Sequence, residues 1–234
     1  MKYMGSKARH AKELLPIILE GRKEGQWYVE PFVGGANMID KVDGNRIGND
    51  FHPFLIAMWS AVSNGWSPPD FVTEEEYKEA KQQTNIDALT GFIGFGCSYS
   101  GKWFGGFARG NDAKGNPRNY AKESASNIKK QQDSLIGVKF TNLSYSDMEI
   151  PDNSIIYCDP PYQGTTKYAT GGFNHEEFWQ WCRDKVKEGH KVFVSEYSAP
   201  EDFVSVWEKK VNNTLVKDTG SKQGVEKLFI WKGE

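Results

Sequence analysis

A short apolar segment in the second half of the chain is followed directly by residues that could do chemistry. Residues Ile155–Cys158 have the composition of a buried strand, and Asp159, Pro160, Pro161 and Tyr162 come next. In open α/β sheets, ligands bind at the carboxyl ends of the strands. Two prolines remove two amide donors and stiffen the turn. The alternative is a rigid turn after a core strand, which the two prolines alone would favour.

This set of residues is suited to activating an aromatic amino group. The amino nitrogen of adenine is a poor nucleophile because its lone pair is delocalised into the ring. Asp159 and the carbonyl of Pro160 can accept hydrogen bonds from the two amino hydrogens, which favours a more tetrahedral nitrogen with an available lone pair. Tyr162 can stack on a base that has been taken out of its helix. The motif therefore predicts chemistry on the amino group of a base.

A glycine loop earlier in the chain predicts a binding site for a nucleoside cofactor. Residues 27–32 are typical of a strand, and Gly34 and Gly35 follow it, so the backbone can approach a ligand closely. Asp50 ends the next predicted strand, Arg46–Asn49. Its offset from Gly34 is close to the roughly 20 residues at which a carboxylate meets ribose hydroxyls. An ordinary turn explains this pattern equally well when it stands alone, but not beside the 159–162 motif.

Together, these motifs resemble those of the Dam-type (alpha-group) DNA adenine-N6 methyltransferases, in the order of that family and over almost the whole chain. The segment 28–37 is similar to the family's glycine motif, although not identical to it. The resemblance implies S-adenosylmethionine as the cofactor and adenine in double-stranded DNA as the substrate, flipped out of the helix. It implies catalytic roles for Asp159, Pro160, Pro161 and Tyr162, and cofactor contacts for Glu30, Phe32, Gly34, Gly35, Asp50 and Asp159.

Two further segments carry weaker resemblances. Residues 3–7 are similar to the family's aromatic-x-Gly-Gly-Lys segment, with Ser6 in place of the second glycine. The resemblance implies that Tyr3 and Lys7 lie against the cofactor, with Lys7 near its carboxylate; a disordered basic N-terminus is the alternative. Residues 192–197 resemble a later motif that lines the base pocket, which would place Tyr197 at the nucleic acid. A plain core strand is the alternative there.

The alternation of predicted strands and helices indicates an α/β fold with a doubly wound, mainly parallel, seven-stranded Rossmann-like methyltransferase sheet. We expect a catalytic domain at 1–65 and 138–234, interrupted by a mostly helical target-recognition subdomain at 66–137. The remaining predicted strands are 138–143, 191–195 and a closing hairpin of 214–218 with 227–231. The predicted helices begin near residues 36, 53, 74, 120 and 175.

The predicted insert has the composition of a nucleic-acid contact surface. Residues 101–139 carry eight Lys and Arg against three Asp and Glu, although the whole chain has a net charge of −2. Aromatic side chains alternate with glycines over 91–110, so rings could fill the space of an extruded base. A small aromatic core and a solvated helix face are the alternatives. The insert differs from the Dam recognition loop, so a GATC target does not transfer. The candidate nucleic-acid-binding residues are Lys102, Trp103, Phe104, Arg109, Arg118 and Tyr197.

Composition excludes several other classes. No apolar run approaches the roughly 18 residues of a membrane span, and the N-terminus lacks the apolar core of a secretory signal. The three cysteines lie far apart, and the four histidines form neither a triad nor a metal cluster, so we expect no metal. We expect a cytoplasmic, DNA-associated monomer or weak dimer. The sequence leaves open a restriction endonuclease counterpart, as in restriction–modification, or none, as for a phage or solitary enzyme.

Other functions remain open from the sequence. The same chemistry could act on RNA adenine, on cytosine N4 or on a protein glutamine amide, although Asp159 favours adenine because the last two classes usually carry another residue there. An inactive DNA-binding module is an alternative from a different class. Intact candidate residues at Tyr3, Lys7, Asp50 and Asp159 argue against it.

Overall fold

A computed structural model of the chain describes residues 1–162, 173–212 and 223–233. They form one sheet of seven strands, in the order β3-β2-β1-β4-β5-β7-β6, with helices on both faces. The strands are β1 (Tyr28–Glu30), β2 (Arg46–Asn49), β3 (Lys139–Thr141), β4 (Ile155–Cys158), β5 (Lys191–Glu196), β6 (Phe203–Asn212) and β7 (Gln223–Trp231). The helices are α1 (Ala11–Ile18), α2 (Pro53–Ser63), α3 (Glu74–Ala80), α4 (Ala88–Gly96), α5 (Tyr120–Leu135) and α6 (His175–Lys187).

Strand directions give the sheet one edge where ligands can bind. Strands β3, β2, β1, β4 and β5 are parallel neighbours, whereas β7 pairs antiparallel with both β5 and β6. The mainly parallel, doubly wound sheet predicted from the sequence is confirmed. Glu30, Asp50, Asp159 and Glu196 stand at the carboxyl ends of β1, β2, β4 and β5. We call this side of the sheet the carboxyl edge.

Strand β4 is apolar throughout because side chains are buried on both faces of the sheet there. In β4, Ile155 and Tyr157 belong to one hydrophobic cluster, and Ile156 and Cys158 belong to the other. Successive residues of a strand point to opposite faces, so a strand that is buried on both sides is a continuous apolar run. This burial holds β4 rigidly and fixes where Asp159 leaves the sheet.

The two faces carry different sets of helices. Helices α1, α2, α4 and α5 bury side chains such as Leu14, Trp59, Phe92 and Ile128 in the first cluster. Helix α6 packs against the second face. It begins where Asn174 accepts backbone N–H bonds from residues 176 and 177, as expected of an N-cap. No helix among the described residues has the length and apolar character needed to cross a membrane.

The segment 66–137 shares the core of the sheet domain. Helix α4 packs on α2, and α5 packs on α2 and on the turn Ile39–Lys41. The buried residues of α4 and α5 lie in the same cluster as those of α1 and α2. The segment therefore packs directly on the first face of the sheet domain. The subdomain boundaries at residues 66 and 137 remain a prediction.

Some local predictions were wrong. The helix expected from residue 36 is reduced to a single 3₁₀ turn, Ile39–Lys41. The chain turns through positive φ at Gly34 (47°) and Ala36 (52°), which is incompatible with a helix starting there. Helix α1 and strand β6 were not predicted, and α4 occupies part of the segment read as an irregular glycine–aromatic stretch. The predicted strand 214–218 lies outside the described residues.

Candidate active site

At the carboxyl edge, the N-terminal 3–7 segment lies next to the 159–162 motif. The Lys7 ammonium lies 2.9 Å from Oδ1 of Asp159, although the residues are far apart in sequence. Lys7 belongs to a 3₁₀ turn, Lys7–Arg9, which Ser6 caps. Its side chain is only 5% exposed, and its Nζ also donates to the Gly5 carbonyl at 3.3 Å. The structure therefore places the N-terminal segment beside the 159–162 motif, and the contact of Lys7 with the cofactor stays a prediction.

Burial and pairing oppose each other at this ion pair. Burial by itself lowers the pKa of Lys7, but the charges of Asp159 and Glu226 and the hydrogen bond to Asp159 together raise that pKa above its usual value. Burial also raises the pKa of Asp159, and Lys7 counteracts part of that rise. Lys7 therefore remains a cation, and Asp159 is a more basic acceptor than an exposed aspartate.

Two tyrosines stand beside this pair. The Tyr162 hydroxyl donates to Oε2 of Glu226 at 2.8 Å, and the Lys7 ammonium lies 4.5 Å from the centroid of the Tyr162 ring. Tyr197, just after β5, packs edge-on against Tyr162 with centroids 4.7 Å apart. The structure thus groups Asp159, Tyr162, Tyr197 and Lys7. It adds Glu226, which the sequence did not reveal.

Tyr3 covers the glycine loop after β1. A Cβ atom on Gly34 would lie 2.8 Å from Cε1 of Tyr3, and a Cβ on Gly35 would lie 2.7 Å from Cβ of Tyr3. Trp59 of α2 holds the loop from the other side, because its Nε1 donates to the Gly34 carbonyl at 2.8 Å. Glycines are therefore required so that Tyr3 can pack on the loop.

Asp50 closes the same loop from the end of β2. Its Oδ2 accepts the Gly34 N–H at 3.1 Å, and its Oδ1 accepts the His52 N–H at 3.0 Å. Burial raises the pKa of Asp50 to about 6, although these two hydrogen bonds act in the opposite direction. Asp50 therefore lies at the end of β2 beside the glycine loop, and its ribose-binding role stays a prediction.

Glu30 and Phe32 follow β1 in different environments. Glu30 is buried, and the Tyr28 hydroxyl donates to its Oε1 at 2.9 Å. Burial raises the pKa of Glu30 well above its usual value. Phe32 packs among the rings of Tyr145, Phe173 and Phe178, with centroids 5.4 to 5.7 Å away. Phe32 therefore shapes the second face of the sheet beneath the loop.

The donor set fits S-adenosylmethionine, which presents a carboxylate, an ammonium and a ribose diol. Lys7 would supply a buried cation for the carboxylate. Glu30 and Asp159 would supply carboxyl groups for the ammonium, and Asp50 would supply acceptors for the hydroxyls. All four stand at the carboxyl edge. Among the described residues, no group of three or more His, Cys, Asp or Glu side chains could hold a metal ion.

The predicted aromatic residues of the insert form a packed cluster. The Trp103 ring lies 4.3 Å from His52, 4.9 Å from Phe95 and 4.6 Å from Phe104, measured between centroids. A Cβ on Gly94 would lie 2.2 Å from Trp103, so α4 approaches this ring closely. Both Trp103 and Phe104 are half-buried. Packing explains them without any contact to DNA, and a base contact stays a prediction.

The predicted basic residues lie on the surface, and two of them have acidic partners. Arg109 pairs with Glu74, and Arg118 forms a two-point pair with Glu123 at 2.8 and 2.5 Å. Lys102 is exposed. Part of the local positive charge is therefore neutralised within the insert, and DNA contact by these residues remains a prediction.

Comparison with known families identifies the chain. The family model described as D12 class N6 adenine-specific DNA methyltransferase matches residues 3–93 and 97–227. The chain belongs to this family. It is an S-adenosylmethionine-dependent, adenine-specific DNA methyltransferase, as the 159–162 motif predicted, and the RNA-adenine and cytosine-N4 alternatives are not favoured.

Solved structures of other methyltransferases are similar at low sequence identity. One is a putative methyltransferase, yhhF, from Escherichia coli, with a TM-score of 0.40 and 11% identity over 97% of this chain and 86% of that one. Another is the tRNA (m1A58) methyltransferase TrmI from Aquifex aeolicus, with a TM-score of 0.39 and 12% identity over 95% and 69% of the two chains. A third is SMU.472, a putative methyltransferase complexed with SAH, with a TM-score of 0.39 and 9% identity over 98% and 54%.

Proposed function

We propose that this D12 methyltransferase modifies N6 of an adenine flipped out of duplex DNA, and that it belongs to the Dam-type group of its family. The observation that carries the proposal is the grouping of Lys7, Asp159 and Tyr162 at the carboxyl edge. The subgroup is supported by motif order, because the 3–7 and 28–37 segments precede Asp50 and the 159–162 motif along the chain.

In the proposed site, the residues of the 159–162 motif act on the target adenine. Asp159 and the Pro160 carbonyl accept hydrogen bonds from the two N6 hydrogens. The raised pKa of Asp159 makes its carboxylate a stronger acceptor than that of an exposed aspartate. Tyr162 stacks on the base, with Tyr197 supporting its ring edge-on. Pro161 fixes the turn between them. Methyl transfer depends on holding reacting atoms in line, so rigid positioning supplies most of the rate.

The proposed cofactor contacts use the remaining residues of the edge. Lys7 would hold the carboxylate, Asp50 the ribose hydroxyls, and Glu30 the ammonium, while Tyr3, Phe32, Gly34 and Gly35 shape the pocket around them. The bound cofactor supplies a methyl group on a sulfonium, which is already an activated leaving group.

Sequencing of modified bases tests the proposal. DNA from cells that express the wild-type protein should carry N6-methyladenine at one defined sequence, and DNA from cells that express Asp159→Ala should carry none. Purified Asp159→Ala should still bind duplex DNA within about threefold of the wild type, because phosphate contacts supply most of the affinity. Equal methylation by the variant would remove Asp159 from the mechanism. Methylated cytosine in place of adenine would contradict the proposed function.

A further inference from the structure

Glu226 lies in the active site although no motif includes it. Strand β7 runs antiparallel to β5, with Lys227 opposite Glu196, the last residue of β5. Residue 226 therefore stands just past the carboxyl end of β5, beside the 159–162 turn. Its side chain is 12% exposed. The strand pairing thus brings a carboxylate from near the C-terminus to the carboxyl edge.

The Glu226 carboxylate contacts two residues of the proposed mechanism. Its Oε2 accepts the Tyr162 hydroxyl at 2.8 Å and lies 3.6 Å from the Lys7 ammonium. That ammonium in turn contacts Oδ1 of Asp159 and the face of the Tyr162 ring. These contacts therefore join four side chains into one connected group: Asp159, Lys7, Glu226 and Tyr162.

Ion pairs within the β6–β7 hairpin do not explain the position of Glu226, because the lysines next to it pair with other carboxylates. Lys209 is its cross-strand partner in β6, but the Lys209 ammonium pairs with Glu13 of α1. On β7 itself, Lys227 lies beside Glu208 at 4.0 Å. The ion pair and the hydrogen bond described for Glu226 both lead into the active site.

We propose that Glu226 is a positioning residue for methyl transfer, which fixes the Tyr162 ring and the Lys7 ammonium relative to Asp159. This inference rests on the proposed roles of Asp159 and Tyr162 in receiving the target adenine. Tyr162 can rotate about its side-chain bonds, and the hydrogen bond through its hydroxyl limits that rotation. Glu226 also gives Lys7 a second carboxylate partner at 3.6 Å, which helps to hold the ammonium in place beside Asp159.

Steady-state kinetics of matched variants test this role. Glu226→Ala should lower kcat roughly 10- to 100-fold, as expected for the loss of a hydrogen bond to a charged group. The KM for DNA should change less than threefold, because phosphate contacts dominate affinity. Glu226→Gln keeps an acceptor for Tyr162 but not the charge, so it should recover part of the lost kcat. Glu208→Gln is the control: this carboxylate is 66% exposed on the same hairpin, and the variant should match the wild type.

A double-mutant cycle separates positioning from general support of the fold. In the Tyr162→Phe background, Glu226→Ala should cost clearly less than it does in the wild type, because the shared hydrogen bond is already absent. Fully additive losses would overturn the role through Tyr162. Wild-type kcat in both Glu226 variants would overturn the whole inference, and Glu226→Gln carries this test if Glu226→Ala does not fold. A wild type that leaves adenine unmodified would overturn the proposed function, and this inference with it.

Discussion

At the scale of single residues, the surroundings of three carboxyl groups of the site, Glu30, Asp50 and Asp159, set their acidity differently. Burial raises the pKa of Glu30 well above its usual value and that of Asp50 to about 6, whereas Lys7 partly offsets the effect of burial at Asp159. Different environments give chemically similar groups different tasks. Asp159 is paired with a cation and available as an acceptor, while burial disfavours the charged form of Glu30.

The raised pKa of Asp50 predicts how cofactor binding depends on pH. An ionised Asp50 accepts ribose hydroxyls more strongly than a protonated one. Because its pKa is about 6, affinity for S-adenosylmethionine should be full above neutral pH and should fall as the pH drops through 6. Asp50→Asn should bind more weakly, by roughly 1–3 kcal/mol at pH 8, and should lose this part of the pH dependence.

Calorimetric titrations between pH 5 and 8, a range centred near the Asp50 pKa of about 6, provide the measurement. Asp43→Asn is a suitable control, since Asp43 is exposed in the loop before β2. Unchanged affinity and an unchanged pH profile in Asp50→Asn would mean that Asp50 only holds Gly34 and His52. Different profiles for the two variants would support the ribose-binding role.

Residue types predicted much of the site but not all of it. Lys7, Asp50 and Asp159 were found because each lies in a local motif, and the structure places all three at the carboxyl edge. Glu226 was missed because its position depends on the register of β7 against β5, which no local pattern specifies. His52 was also missed, although it lies two residues after Asp50 and packs against Phe95 and Trp103.

At the scale of elements, the sequence predicted strands and helices best where local signals agree. The bounds of β2 and β4 and the start of α5 matched the prediction. The side chains of Asn119 and Asn174 cap α5 and α6. Helix α1 was missed because it is short and contains Pro16. Strand β6 carries charged residues along an outer edge, and its existence depends on pairing with β7.

The contact between α2 and α4 predicts a structural role for Trp103. Its ring packs on Phe54 of α2 and Phe95 of α4 at 5.1 and 4.9 Å. Trp103→Ala should therefore lower the free energy of unfolding by roughly 3 kcal/mol, since truncation leaves a cavity between the helices. Urea denaturation gives the value. Tyr99→Ala, which alters a ring that is 69% exposed nearby, should change stability by less than about 0.5 kcal/mol.

The two variants also decide between packing and base contact. A Trp103→Ala protein that is as stable as Tyr99→Ala would show that the ring contributes little to the fold. If such a protein also lost discrimination between target and scrambled duplexes, Trp103 would be a recognition residue. Loss of stability with discrimination kept would assign it to the core.

At the scale of the whole molecule, positive charge is concentrated in parts of the chain, so a polyanion such as DNA would be attracted to those parts only. The net charge is −2, so long-range attraction to DNA cannot come from the protein as a whole. The excess of Lys and Arg over 101–139 is reduced where Arg109 meets Glu74 and Arg118 meets Glu123. Exposed ion pairs contribute little to stability, so a phosphate can replace the carboxylate partner.

This distribution predicts measurable phosphate contacts at Lys102 and Arg109. Each phosphate contact that is lost should lower the slope of log affinity against log salt by about one unit. Lys102→Ala should therefore show a shallower slope on target and scrambled duplexes alike. Arg109→Ala should show the same change if the arginine leaves Glu74 for a phosphate, and a relaxed preference at one position, by roughly 1–3 kcal/mol, if it contacts a base edge.

The matched control for these variants is Lys23→Ala. Lys23 is exposed and precedes β1, so it lies at the end of the sheet opposite the carboxyl edge, and its removal should leave the slope unchanged. Binding is measured across a salt series, with the target duplex taken from the modified-base sequencing. If Lys102→Ala and Arg109→Ala bind both duplexes like the wild type, the insert does not contact DNA through them. Arg9 and Lys12 would then be the next residues to substitute. They follow closely after Lys7, which the structure places against Asp159.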